Sequence, residues 1–196
     1  MARVGIYAGA FNPVHAGHIG FALQAVEQAG LDRLYFLPER RPRFKQGVEH
    51  FGHRVAMLRR AIKPHPKFSI LELPDISFSV ERTLPRLQQA LPGQELVFLF
   101  GSDVAARLAG WPDVEHLLGT SELIIGVHGL DTEALVKQQL ESLSKQPQAL
   151  HLFVSHAPKV SSRQVRNALR RREYVQGLLK SVQRYSDKNW LYVSLA

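Results

Sequence analysis

Cysteine is absent from the 196-residue chain. That absence excludes disulfides, thiolate nucleophiles, zinc-thiolate centres and iron–sulfur clusters, and it fits a reducing compartment. Long apolar runs are missing too, since no window approaches the ~18 uninterrupted apolar residues of a membrane-spanning helix. The opening Met1-Ala2-Arg3-Val4-Gly5-Ile6-Tyr7 meets glycine and then Asn12-Pro13 too early for the apolar stretch of a secretion signal. A soluble, cytoplasmic, unprocessed chain with no membrane partner is expected. Compositional bias is equally scarce: 45% of residues are apolar, 21% are charged, and 14 Gly with 11 Pro exclude collagenous and wholly disordered classes. With no repeat and no long linker, one domain over 1–196 is expected, its C-terminal helical part (about 159–196) packed on the sheet.

Acidic residues are in deficit: 25 Lys and Arg face 17 Asp and Glu, for a net charge of +8 and a pI near 10. The excess is concentrated. Arg33 to Lys67 holds ten basic and two acidic residues, and Lys159 to Lys188 nine and two, so the remainder of the chain is net acidic. Neither block has a zinc-finger, basic-zipper or RNA-binding aromatic signature, so no nucleic-acid partner is expected. Two separated basic segments can instead converge on one small polyanion, or simply form solvated surface.

Short β-branched or aromatic runs alternate with longer helical stretches, an α/β rhythm. Strands are predicted at Arg3–Tyr7, Arg33–Leu37, Phe68–Leu71, Glu95–Phe100, Glu122–Val127 and Leu150–Val154. Runs such as Leu96-Val97-Phe98-Leu99-Phe100 suit strands buried on both faces of a parallel sheet. Helices are predicted at Gly17–Ala29, Phe51–Ile62, Ser79–Ala90, Val104–Ala109, Asp131–Ser144, Ser162–Arg171 and Val175–Tyr185. A Rossmann-like doubly wound parallel sheet of five to six strands follows, with Pro38 to His50 as a surface loop.

The segment after the first strand is the most informative. In a doubly wound sheet the next helix aims its N-terminus at the crevice beyond that strand's carboxyl end. There Gly9 is expected to let backbone amides approach an anion, Pro13 to fix the loop, and Gly17 to admit a ligand or neighbouring backbone. His15 and His18, three residues apart, would share a helical face and can donate hydrogen bonds to developing negative charge. Neither a Walker loop nor a G-x-G-x-x-G fingerprint is present, and the histidines lack the H-E-x-x-H spacing of a zinc protease, so no protein-held metal is expected.

Gly9-Ala10-Phe11-Asn12-Pro13-Val14-His15-Ala16-Gly17-His18 resembles the G-x-F-x-P-x-H-x-G-H signature of the nucleotidylyltransferase superfamily. Val160-Ser161-Ser162-Arg163-Gln164-Val165-Arg166 is similar to its I-S-S-T-x-I-R motif. Phe100-Gly101-Ser102-Asp103, followed by Leu108 and Trp111, resembles the G-A-D-x-x-x-x-L-x-x-W block of the bacterial nicotinate-nucleotide adenylyltransferases, and Ser79-Val80-Glu81-Arg82-Thr83-Leu84 their T-x-D-T-L segment. Asn12 stands where the family usually has Asp, and Pro42-Arg43-Phe44-Lys45 replaces a P-P-H-K motif near the mononucleotide site.

The resemblance implies adenylyl transfer from ATP to a pyridine mononucleotide, nicotinate mononucleotide first, in NAD biosynthesis, with Mg²⁺ bound through the ATP phosphates. It implies catalytic roles for His15 and His18. ATP would be bound by Gly9, Ala10, Phe11, Lys45, Gly101, Asp103, Ser161, Ser162 and Arg166, and the acceptor by Ser79, Thr83 and Trp111. Taken alone, Asp103 and Ser161 also read as helix caps and Trp111 as core. Nicotinamide mononucleotide, phosphopantetheine or another phosphorylated acceptor, and a non-catalytic nucleotide-binding module, are the alternatives.

Overall fold

Alternation along each strand decides which layer a side chain joins. Six strands, β1 (Arg3–Gly9), β2 (Arg33–Pro38), β3 (Phe68–Ile70), β4 (Glu95–Gly101), β5 (Glu122–Val127) and β6 (Leu150–Val154), pair in parallel in the order β3-β2-β1-β4-β5-β6. The computed structural model describes residues 1–43, 45–127, 131–141, 143–154 and 160–193. Phe44 of the expected loop, Ser142 of an expected helix, Lys159 of the second basic block and residues 194–196 lie outside the described residues.

On β4, Val97 and Leu99 point into a layer shared with α1 (Ala16–Gln28), α2 (Phe51–Ile62), α7 (Ser162–Arg171) and α8 (Lys180–Lys188). Leu96, Phe98 and Phe100 point the other way, against α3 (Val80–Ala90), α4 (Ser102–Ala105), α5 (Val114–Thr120) and α6 (Glu133–Glu141). β5 splits likewise, with Ile124 on the first side and Leu123 and Ile125 on the second. Each such side chain contributes roughly 1.5–3 kcal/mol through burial. Covering both faces explains why β4 and β5 read as continuous apolar runs.

The chain moves outward from β1 to β2 and β3, then returns to place β4 on the other side of β1, with Tyr7 opposite Leu99. The loops leaving β1 and β4 therefore diverge, opening a crevice at the strands' carboxyl ends.

The doubly wound fold and all six predicted strands are present, within a residue or two at their ends. The helices differ in three places. The predicted Val104–Ala109 helix is broken into α4 and a short 3-10 turn, Leu108–Gly110. The predicted Val175–Tyr185 helix begins only at Lys180: Gly177 sits at φ +91°, and its carbonyl caps α1 by accepting from Ala16 N–H at 2.9 Å. Helix α5 was not anticipated; it starts after Asp113, whose φ of +60° turns the chain sharply. Among the described residues no helix is long and apolar enough to cross a membrane.

Candidate active site

β1 hands the chain at Gly9 to a loop with two unusual backbone features: Phe11 lies at φ +45°, and the Asn12–Pro13 peptide is cis. The Phe11 ring turns inward, edge-on to Tyr7 at 5.4 Å and Phe36 at 5.4 Å. A Cβ on Gly9 would stand 3.1 Å from that ring. Gly9 thus makes room for Phe11, and its carbonyl accepts from Glu39 N–H at 3.0 Å. Gly9, Ala10 and Phe11 lie at the crevice as predicted, but the side chains of Ala10 and Phe11 belong to the interior.

His15 caps α1 and His18 occupies its third position, so the rings meet with centroids 3.8 Å apart. A Cβ on Gly17 would come within 3.0 Å of the His15 ring, so the close neighbour that Gly17 admits is His15 itself. The His15 backbone N–H donates to His18 Nδ1 at 3.2 Å. Since that amide can only donate, neutral His18 carries its proton on Nε2. Burial lowers the His15 pKa to about 4. Burial also holds His18 well below its ordinary value, assisted by the charges of His15 and Lys45. Both rings are therefore neutral near pH 7, so each has an N–H to offer but no charge. His15 Nδ1 is sealed in without a hydrogen-bond partner among the described residues, which leaves Nε2 as its accessible nitrogen.

The loop is braced from three directions. Arg54, with no solvent exposure, donates from Nη1 to Ala10 O at 2.6 Å and from Nε to Glu49 O at 2.9 Å. Its Nη2 reaches the carbonyls of Glu39 at 2.8 Å and Arg40 at 3.0 Å. Asn12 Oδ1 accepts from the buried Tyr192 hydroxyl at 2.8 Å and from Glu49 N–H at 3.2 Å. Burial and the Glu49 charge raise the Tyr192 pKa, so the hydroxyl keeps its proton. From α7, Arg166 donates to Asn12 O at 2.8 Å and Ser162 Oγ to Pro13 O at 3.0 Å. Ser161 serves as the cap of α7, accepting from Gln164 N–H at 3.2 Å. Arg54, Asn12 and Tyr192 were not among the predicted site residues. The available signal for Arg54 was its spacing, since it shares an apolar helical stripe with Leu58 and Ala61.

Across the crevice, Gly101 caps α4 and Asp103 lies in that helix's first turn, paired with Arg107 at 3.1 Å. Asp103 is thus not the cap. Burial, with the nearby Asp103 charge, raises the Tyr7 pKa and keeps its hydroxyl neutral. Lys45 is exposed yet near enough for its charge to reach His18. The loops after β1 and β4 and the loop bearing Lys45 therefore share one crevice.

Beside it lies a cavity of ≈ 240 Å³ whose lining includes Arg43, Phe78, Ser79, Arg82 and Trp111. Trp111 is half-buried against Phe78 at 5.7 Å and Phe100 at 5.5 Å, rather than sealed in the core. Ser79 caps α3, with its Oγ accepting from Arg82 N–H at 3.4 Å and its N–H donating to Thr83 Oγ1 at 3.1 Å. Thr83 is buried behind the wall. The first amides of α3, on Val80 and Glu81, have no intrahelical acceptor, and both residues line the cavity.

The cytidylyltransferase-like family profile matches residues 6–168. A probable nicotinate-nucleotide adenylyltransferase of Coprothermobacter proteolyticus is 32% identical over 97% of this chain and 95% of its own length. The nicotinate-nucleotide adenylyltransferase of Bacillus subtilis is 34% identical over 63% of this chain and 68% of its own. In fold, the chain matches the Plasmodium falciparum nicotinic acid mononucleotide adenylyltransferase complexed with NaAD, with a TM-score of 0.75 at 19% identity over 98% of both chains. Likeness in sequence over nearly the whole length makes this chain a member of the cytidylyltransferase-like family, in its nicotinate-nucleotide adenylyltransferase branch.

Proposed function

We propose that the chain transfers the adenylyl group of ATP to nicotinate mononucleotide, yielding nicotinate adenine dinucleotide and pyrophosphate in NAD biosynthesis. The observation that carries this reading is the pair of neutral imidazoles at the start of α1, their centroids 3.8 Å apart and their planes tilted by 37°, beside a cavity with an indole wall. An oxygen of the acceptor's phosphate attacks the α-phosphorus, and the bond to the pyrophosphate oxygen breaks. Such a transfer needs positioning and charge stabilisation more than covalent help from the protein.

His18, with its proton on Nε2, donates to the α-phosphate as charge builds; His15 does so through its accessible nitrogen. Lys45 lies over the leaving phosphates, and the start of α7, with Ser161, Ser162 and Arg166, borders the same anion. Gly101 and Asp103 take the nucleotide's ribose, Asp103 accepting from its hydroxyls. Trp111 stacks on the pyridine ring, with Ser79 and Thr83 shaping the α3 end of that pocket. The basic segments serve these small phosphates rather than nucleic acid. A magnesium ion carried by the ATP phosphates fits here because neutral His15 and His18 do not repel it. When bound, it neutralises charge on the pyrophosphate.

The test is pyrophosphate release with Mg²⁺ and ATP or CTP, over nicotinate mononucleotide, nicotinamide mononucleotide and phosphopantetheine. ATP with nicotinate mononucleotide is expected to give the highest efficiency, and His18→Ala to lower that turnover about 10²–10³-fold while remaining folded. No turnover with either mononucleotide would overturn the proposal.

A further inference from the structure

The cavity beside Trp111 is apolar on one side, through Phe78, Val80 and Trp111, and charged on the other, through Arg43, Glu81 and Arg82. Glu81 and Arg82 both belong to α3, and Glu81 brings an acidic charge to that edge of the cavity. Arg43 comes from a different segment and is fixed from behind. Its Nε donates to the Oγ of buried Ser77 at 3.1 Å. The backbone that carries it is pinned to the same neighbouring loop: Arg41 N–H donates to Ile76 O at 2.7 Å, and Phe78 N–H to the Glu39 carboxylate at 2.9 Å.

A guanidinium held through Nε has its plane set while both Nη groups stay free to grip a planar anion. Among the described residues, the Arg43 Nη groups have no hydrogen-bond partner. Arg43 also occupies the second position of Pro42-Arg43-Phe44-Lys45, where the related motif has a proline and hence no side-chain donor.

We propose that Arg43 is the specificity-determining residue for the acceptor, its Nη donors gripping the carboxylate on the pyridine ring while Trp111 covers the ring's face. The inference rests on the proposed use of a pyridine mononucleotide. A carboxylate accepts both donors with full opposite charge. The carboxamide of nicotinamide is uncharged and turns an NH₂ toward a donor fork, leaving one Nη unpaired.

The test is steady-state kinetics of Arg43→Gln with each mononucleotide at saturating ATP. Losing a hydrogen bond to a charged group is worth about 10- to 100-fold, expected as a raised KM for nicotinate mononucleotide. The kcat/KM for nicotinamide mononucleotide is expected to change less than about threefold, so the wild-type preference collapses, while Arg43→Lys restores part of it. An equal fall for both acceptors would put the guanidinium on their shared phosphate and overturn the proposal, as would an unchanged ratio. Those outcomes presuppose a wild-type enzyme that turns over a mononucleotide; if it uses neither, the proposed function fails instead.

Discussion

The two sides of the crevice are built on opposite plans. The loop after β1 is held by groups from distant elements: buried Arg54 of α2, half-buried Arg166 of α7 and buried Tyr192 beyond α8. The cavity at Trp111 is edged by exposed charges, Arg43, Glu81 and Arg82. Changing a brace disturbs the interior and costs stability; changing a charge at the cavity alters what is recognised and leaves the fold alone. The fixed side suits the invariant step, attack at phosphorus, and the exposed side suits the choice of acceptor.

The largest expected effect is on the fixed side. Arg54→Ala strips the donor from four carbonyls, and at about 1–3 kcal/mol for each unsatisfied buried group, partly relieved by entering water, a loss of about 4 kcal/mol is expected. Urea unfolding would show it as a lower midpoint at unchanged slope; a loss below about 1 kcal/mol would erase the contrast. Next comes pH. His15 titrates near 6.5 when unfolded and about 4 when folded. The unfolded chain therefore takes the proton first, and protonation favours unfolding. The contribution of neutral His15 is complete above about pH 6.5 and declines as pH falls, with about 3 kcal/mol lost below about pH 4. Subtracting the profile of His15→Gln isolates this component, and a flat difference between pH 4 and 7 would refute it. The smallest effect belongs to the exposed side: Trp111→Ala should raise the acceptor KM at least about tenfold while moving the ATP KM little. A comparable rise in the ATP KM would merge the two sides.

The same division governs what could be read from the sequence. Strands β4 and β5 announced themselves because burial on both faces leaves apolar runs from Leu96 to Phe100 and from Leu123 to Ile125, and the segment from Gly9 to His18 did so because its glycine, proline and histidine spacing is itself a signature. Arg54 stayed hidden. A charged letter is ordinarily placed on the surface, and its partners here are backbone carbonyls, which any residue supplies. The late start of α8 was equally invisible, since what ends the preceding turn is a tertiary bond from Ala16 to Gly177. The cavity at Trp111 escaped notice as a shape because it forms only when residues near 43, 80 and 111 converge. Ser161 was legible as a helix cap, whereas the bond from Ser162 to the Pro13 carbonyl was not.

The bond between the Tyr192 hydroxyl and Asn12 joins groups 180 residues apart. During synthesis the loop after β1 is made long before Tyr192, so the second donor to the Asn12 side chain arrives only once that later segment has docked. The shape of this loop is in this sense completed by a contact made late along the chain. A chain lacking Tyr192 would keep His15, His18 and every strand of the sheet, and would lose one of the two donors to Asn12 Oδ1.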